Sequence, residues 1–173
     1  MTDAARLQAL EDREAIRQIF TDYARTLDNG DYAGYSALFA RDGRFGEAVG
    51  PAAIEAQMLA YGVRIDAAMA EGRFHKAVHL MSNPDIAIDG DSATADITWC
   101  YMTIDADTVP TVFQMGHYLD DLVREDGAWK IARHTIRRDM GRAQLEAPHP
   151  SRLDALEARL RALENQMQTG DGQ

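Results

Sequence analysis

The chain has 173 residues, 46% of them hydrophobic, with a formal net charge of −10 and a pI near 4.8. That length suits one domain with a sizeable core, and the acidic balance argues against nucleic acid or an anionic membrane surface as partner, since both need a basic patch. Cys100 is the only cysteine, no apolar run approaches the about 18 residues of a spanning helix, and the opening MTDAARLQALEDRE is charged, so no disulfide, zinc cluster, membrane span or signal peptide is expected and a soluble cytoplasmic protein is.

Residues 3–28 predict a helix: Leu7, Leu10, Ile16, Ile19, Phe20, Tyr23 and Leu27 recur three and four apart as one apolar stripe. Glu11, Asp12, Arg13 and Arg17 fall mostly on the other side. The helix runs into TLDNGDY, where Asn-Gly signals a turn. Asp31 is expected to cap a short second helix with Tyr35, Leu38 and Phe39 facing inward. Asp28 has no such explanation, because a carboxylate at a helix C-terminus meets the wrong end of the dipole. It therefore calls for a cationic or hydrogen-bond-donating partner.

ARDGRF turns into a short strand near Phe45–Val49, and Pro51 opens another helix that ends before Gly72. From Phe74 the texture changes. IAIDGDSATADITWCYM alternates around an Asp-Gly turn as a hairpin, with Ile86 and Ile88 on one arm and Ala93, Ala95, Ile97 and Trp99 on the other. TVFQMGHYLDDLVREDGAWKIARHTIRR gives a second hairpin, turning at Glu125-Asp126-Gly127. The two prolines of EAPHPS mark a linker, and SRLDALEARLRALENQM reads as an amphipathic helix with Leu153, Leu156, Leu160, Leu163 and Met167 on a heptad seam. The expected organisation is a domain over residues 1–142, a linker over 143–150, a C-terminal helix over 151–168 packing on its own domain or on other subunits, and a disordered tail over 169–173. The fold class is α+β: helices packed on one face of a curved antiparallel sheet.

Four stretches carry a family resemblance: EDREAIRQIFTDYARTLDNGDYAGYSALFARDGRF, the helix after Gly50-Pro51, AVHLMSNPDIAIDGDSATA, and GHYLDDLVREDGAWKIARHTIRR. Over roughly residues 5–140 the chain resembles the SnoaL-like branch of the nuclear-transport-factor-2-like (NTF2-like) superfamily. It is most similar to the scytalone-dehydratase and bile-acid-dehydratase type. The resemblance implies an NTF2-like cone with an extra C-terminal helix. It also implies an aspartate after the first helix facing a histidine on the sheet, which here are Asp28 and His79. A tyrosine before the aspartate falls on Tyr23, and an arginine near the end of the last strand on Arg137 or Arg138. The scytalone pattern has a second histidine on a middle strand; ITWCYMTID has none. Relatives of this type are often homodimers or homotrimers.

Read physically, a histidine side chain is the type that can exchange protons near neutral pH, and an Asp28 contact would fix the tautomer of His79. His75 lies four residues earlier, so a His-x-x-x-His metal pair is conceivable, but no clear third ligand accompanies it and no metal is expected. Tyr23 could polarise a carbonyl or hold a water. Arg137 and Arg138 are adjacent on a strand, so only one faces inward, where it would bind a carboxylate or an enolate-like oxygen. His117 and His134 lie on long strands and either could enter the cavity. Trp99, Tyr101, Met102, Phe113, Met115, Met58 and Phe74 could wall a flat ring system. No phosphate loop, dinucleotide fingerprint or nucleophile elbow is present, so the expected chemistry needs no cofactor. The expectation is a lyase eliminating from a small hydrophobic or aromatic oxygenated ring compound by an Asp28–His79 general acid/base pair. An isomerase or polyketide-type cyclase would use the same pocket. A scaffold subunit like the small subunits of ring-hydroxylating dioxygenases would need no such pair.

Overall fold

A computed structural model describes residues 2–104 and 109–140. The expected linker, C-terminal helix and tail, 143–150, 151–168 and 169–173, lie outside the described residues. In chain order the elements are α1 (Asp3–Asp28), α2 (Tyr32–Ser36), β1 (Phe39–Phe45), β2 (Ala48–Val49), α3 (Pro51–Ala70), β3 (Lys76–Met81), β4 (Asp85–Asp89), β5 (Ser92–Ile104), β6 (Pro110–Glu125) and β7 (Ala128–Met140). The strands form one curved sheet in the order β2-β1-β7-β6-β5-β3, with β4 also pairing with β5. Its pairs are antiparallel except β1 with β7, which run parallel. The two long hairpins are therefore as the alternation predicts. The strand expected near Phe45–Val49 instead begins at Phe39, so Phe39 belongs to the sheet and not to α2.

Alternation sorts the sheet's two faces. Ala93, Ala95, Ile97, Trp99 and Tyr101 of β5 and Tyr118, Asp120 and Leu122 of β6 are buried against the helices, and the residues between them face outward. At the β6–β7 turn, Asp126 and Gly127 both have positive φ (50° and 81°), as a tight hairpin turn requires. Helix α1 lays Ile16, Ile19, Phe20 and Tyr23 on the inner face. Leu7 and Leu10, expected on the same stripe, are 57% and 65% exposed. In α3, Gly62 has a packing reason: a Cβ there would run into the Tyr32 hydroxyl, so a bare backbone lets α2 close onto α3.

Asp12 corrects the expectation of a solvated face. It is buried, accepting from Arg124 Nη2 at 2.7 Å and from Trp129 Nε1 at 3.1 Å. The bond from the Arg124 guanidinium holds its carboxyl below the usual aspartate value, against the opposing effect of burial. A carboxyl depressed in the folded state adds stability above its unfolded pKa of about 3.9, and that stability is lost as pH falls through the lower folded value. Asp12→Asn should therefore destabilise the protein by about 1–3 kcal/mol at neutral pH. The gap to wild type in thermal melts should narrow as pH drops from 6 toward 3.

Candidate active site

The end of α1 places Asp28. Gly30 has φ 70°, Gly30 N–H bonds to Leu27 O at 3.1 Å, and Asp31 N–H returns to Thr26 O at 2.8 Å, which closes the helix as a left-handed C-terminal cap. Asp31 then caps α2 by accepting from Gly34 N–H at 2.9 Å, the role its position predicts. Asp28, last in α1, turns toward β3 on the sheet edge. There the backbone N–H of His79 donates to both carboxylate oxygens, at 3.0 and 3.2 Å, and His79 Nδ1 lies 2.6 Å from Oδ1. Three donor contacts to one carboxylate offset the unfavourable helix dipole. The His79 side chain is 10% exposed and that of Asp28 21%, so the pair is neither in bulk water nor sealed. Among the described residues nothing hydrogen-bonds His79 Nε2.

Around the pair, the Tyr101 ring, opposite His79 on β5, lies 4.7 Å from the imidazole, and Phe113 meets Tyr101 edge-on at 6.2 Å. Tyr23 meets the His79 ring edge-on at 6.5 Å. Trp99 and Met58 are buried in the same core, Trp99 stacked on Tyr118 at 5.1 Å. Burial pushes the phenols of Tyr23, Tyr35, Tyr101 and Tyr118 well above the ordinary tyrosine range, and neighbouring phenols reinforce this for Tyr23 and Tyr101. A group raised on folding adds stability in full below its unfolded pKa, about 10 for tyrosine, and loses it as pH rises above that. In an alkaline titration these four phenols should ionise together with the loss of circular dichroism and not before it. Phenolate absorbance and ellipticity, followed on one sample, check this.

Other candidates lie elsewhere. His117 faces the outer side of the sheet, its Nδ1 2.5 Å from Asp96 and its Nε2 3.4 Å from Asp139, so it does not enter the interior beside His79. Met115 shares that outward alternation, opposite Cys100 and Met140. His75 is exposed just before β3, its N–H bonded to Ile104 O at 2.7 Å. No group of three or more metal-type ligands occurs among the described residues. Of the arginines, Arg137 pairs outward with Asp139 at 3.1 Å. Arg138 shares the alternation of buried His134, has its Nε 3.4 Å from Gln114 Oε1, and borders a cavity of about 540 Å³ with Phe45, His134 and Ile136.

The interior also holds residues that sequence reasoning undervalued. His134, not His117, is the long-strand histidine that turns inward. Its Nε2 lies 3.1 Å from the Tyr23 hydroxyl and its Nδ1 2.7 Å from Asp120 Oδ1. The signal for Asp120 was in the sequence: it alternates with Tyr118 and Leu122 on one face of β6.

A family model for the SnoaL-like domain matches residues 8–135. Among solved structures the chain is similar to an NTF2-like protein with a cystatin-like fold from Novosphingobium aromaticivorans, at 29% identity over 76% of this chain and 84% of that one, with a TM-score of 0.64. It is similar to ActVI-ORFA from Streptomyces coelicolor at 25% identity, over 73% and 93% of the two chains, with a TM-score of 0.62. A candidate scytalone dehydratase from Novosphingobium aromaticivorans shares 24% identity over 81% and 89%, with a TM-score of 0.59, a likeness that speaks for the fold alone. No curated protein matches the sequence. No helix among the described residues is long and apolar enough to cross a membrane.

Proposed function

We propose, because the chain belongs to the SnoaL-like family, that it is a cofactor-free lyase acting on a small, largely apolar, oxygenated ring compound. One observation carries this reading: His79 has Nδ1 held by Asp28 at 2.6 Å, while Nε2 has no hydrogen-bond partner among the described residues. With Asp28 ionised, the proton of a neutral His79 rests on Nδ1, and Nε2 keeps its lone pair. Nε2 takes a proton from a carbon next to a carbonyl. The C–H electron pair becomes the new C=C bond, the C–O bond to a hydroxyl on the adjacent carbon breaks, and that hydroxyl leaves as water with the proton from the imidazolium, Tyr23 serving as a hydrogen-bond donor that keeps its proton. Asp28 stabilises the imidazolium in between. The low dielectric of the half-buried site strengthens that interaction. Tyr101 supplies a flat wall beside the base, and Arg138 is the arginine whose alternation suits an enolate-like oxygen.

An isomerase would use the same proton shuttle and return the proton to a different carbon. The test is a ligand screen of aromatic and steroid-like hydroxy-ketones on wild type and His79→Ala. Binding by both with turnover by wild type alone is expected. Binding by both with turnover by neither supports a non-catalytic binding subunit instead.

A further inference from the structure

Beside Asp28–His79 and the outward-facing Asp96–His117, the interior holds a fully buried Asp–His pair that the elimination does not use. Asp120 on β6 and His134 on β7 are direct cross-strand partners, and neither side chain has any solvent exposure. The shell around His134 is aromatic: Tyr118 at 4.7 Å, Phe45 at 4.9 Å, Tyr23 at 5.2 Å and Phe39 at 6.4 Å between ring centroids. Asp120 Oδ2 has no hydrogen-bond partner among the described residues. A net charge in such a shell, with one carboxylate oxygen unsatisfied, is strongly disfavoured. The pair is therefore neutral overall, in one of two forms. If it is an imidazolium facing a carboxylate, both ring nitrogens carry hydrogen and Nε2–H points at Tyr23. If it is a carboxylic acid facing a neutral imidazole, the acid donates to Nδ1, the ring's one N–H is again at Nε2, and it again points at Tyr23. Two arrangements would instead make Tyr23 the donor: a carboxylate beside a neutral imidazole, which leaves a buried net charge, and an acid protonated on Oδ2 that accepts from Nδ1–H, which leaves that buried O–H with no acceptor among the described residues.

We propose that Asp120 and His134 are positioning residues for Tyr23: Nε2–H donates to the Tyr23 oxygen at 3.1 Å, so the phenol's own O–H is a donor to something other than His134, either its buried neighbours Tyr35 and Tyr118 or a substrate oxygen that enters between them. The accepted bond polarises that O–H and makes it a stronger donor. Tyr23 is five residues before Asp28 on α1 and meets the His79 ring edge-on, so base and phenol are held by one helix against one sheet. The catalytic meaning rests on the lyase reading above; the direction of the bond does not.

The test is the nitrogen-15 spectrum of the full chain with labelled histidine at pH 7. The His134 signal is assigned by its loss in His134→Gln or, should that variant not fold, as the signal that Tyr23→Phe shifts. A proton on His134 Nε2 in wild type is expected. An unprotonated Nε2 overturns the proposal, because Tyr23 would then be donating into the ring. Since no substrate is needed, this result is independent of whether the lyase reading survives. Where the screen yields a substrate, His134→Gln should lower kcat about ten- to a hundredfold with KM little changed. Unchanged kcat in a folded His134→Gln would also overturn it.

Discussion

Asp28→Asn should lower turnover by about a hundred- to ten-thousandfold and leave the protein folded. The amide has the shape of the carboxylate and still accepts from the His79 backbone N–H through its oxygen. What it lacks is a second acceptor for Nδ1–H. With the amide NH₂ facing Nδ1, the imidazole proton moves to Nε2, and the nitrogen that should act as base no longer has a lone pair. Stability should fall by no more than about 1–2 kcal/mol, because relief of the helix dipole partly offsets the lost charge-assisted contacts to His79. Melting temperature and turnover measured on one preparation separate these effects. Unchanged turnover in a folded Asp28→Asn would count decisively against the pair.

The largest stability effect is expected at Asp120. Asp120→Ala leaves His134 fully buried, with no partner for Nδ1 and a cavity beside it. Breaking a buried pair from one side costs about 3–5 kcal/mol, which lowers Tm by about 10 °C or more in a domain of this size. Removing both polar partners is a different matter. Asp120→Leu combined with His134→Phe replaces the pair by apolar volume and should recover most of the loss, since a buried pair exchanged for well-packed hydrophobes is often neutral. Thermal melts of the two variants measure this; equal destabilisation in both would show that shape rather than charge pairing holds this part of the core.

Much of this was legible in the sequence because periodicity reports burial directly. The three- and four-residue spacing of Ile16, Ile19, Phe20 and Tyr23 gave α1, and the strict alternation from Ala93 to Tyr101 gave the inner face of β5. Asp28 was conspicuous because a helix C-terminus is a poor place for a carboxylate, and its contact with His79 follows once β3 passes that end. Asp12 is not legible as buried because a charged residue in an amphipathic helix goes to water by default, and its partners Arg124 and Trp129 lie more than a hundred residues away. His117 and His134 were indistinguishable by spacing. Their opposite orientations depend on the register shift between Asp121 and Leu122 in the β6–β7 pairing, a bulge with no turn residue to announce it. Leu7 and Leu10 fit the stripe of α1 and are nonetheless exposed; nothing among the described residues explains that.

The central claim is that His79, held by Asp28, removes a proton from carbon, and it can be measured without knowing the leaving group. A simple ring ketone such as 2-tetralone, incubated with the protein in deuterated water, should take up deuterium beside its carbonyl faster than in buffer alone. His79→Gln and Asp28→Asn should each remove that acceleration. Exchange at the same rate in wild type and both variants, or none above buffer with the ketone demonstrably bound, would contradict the account.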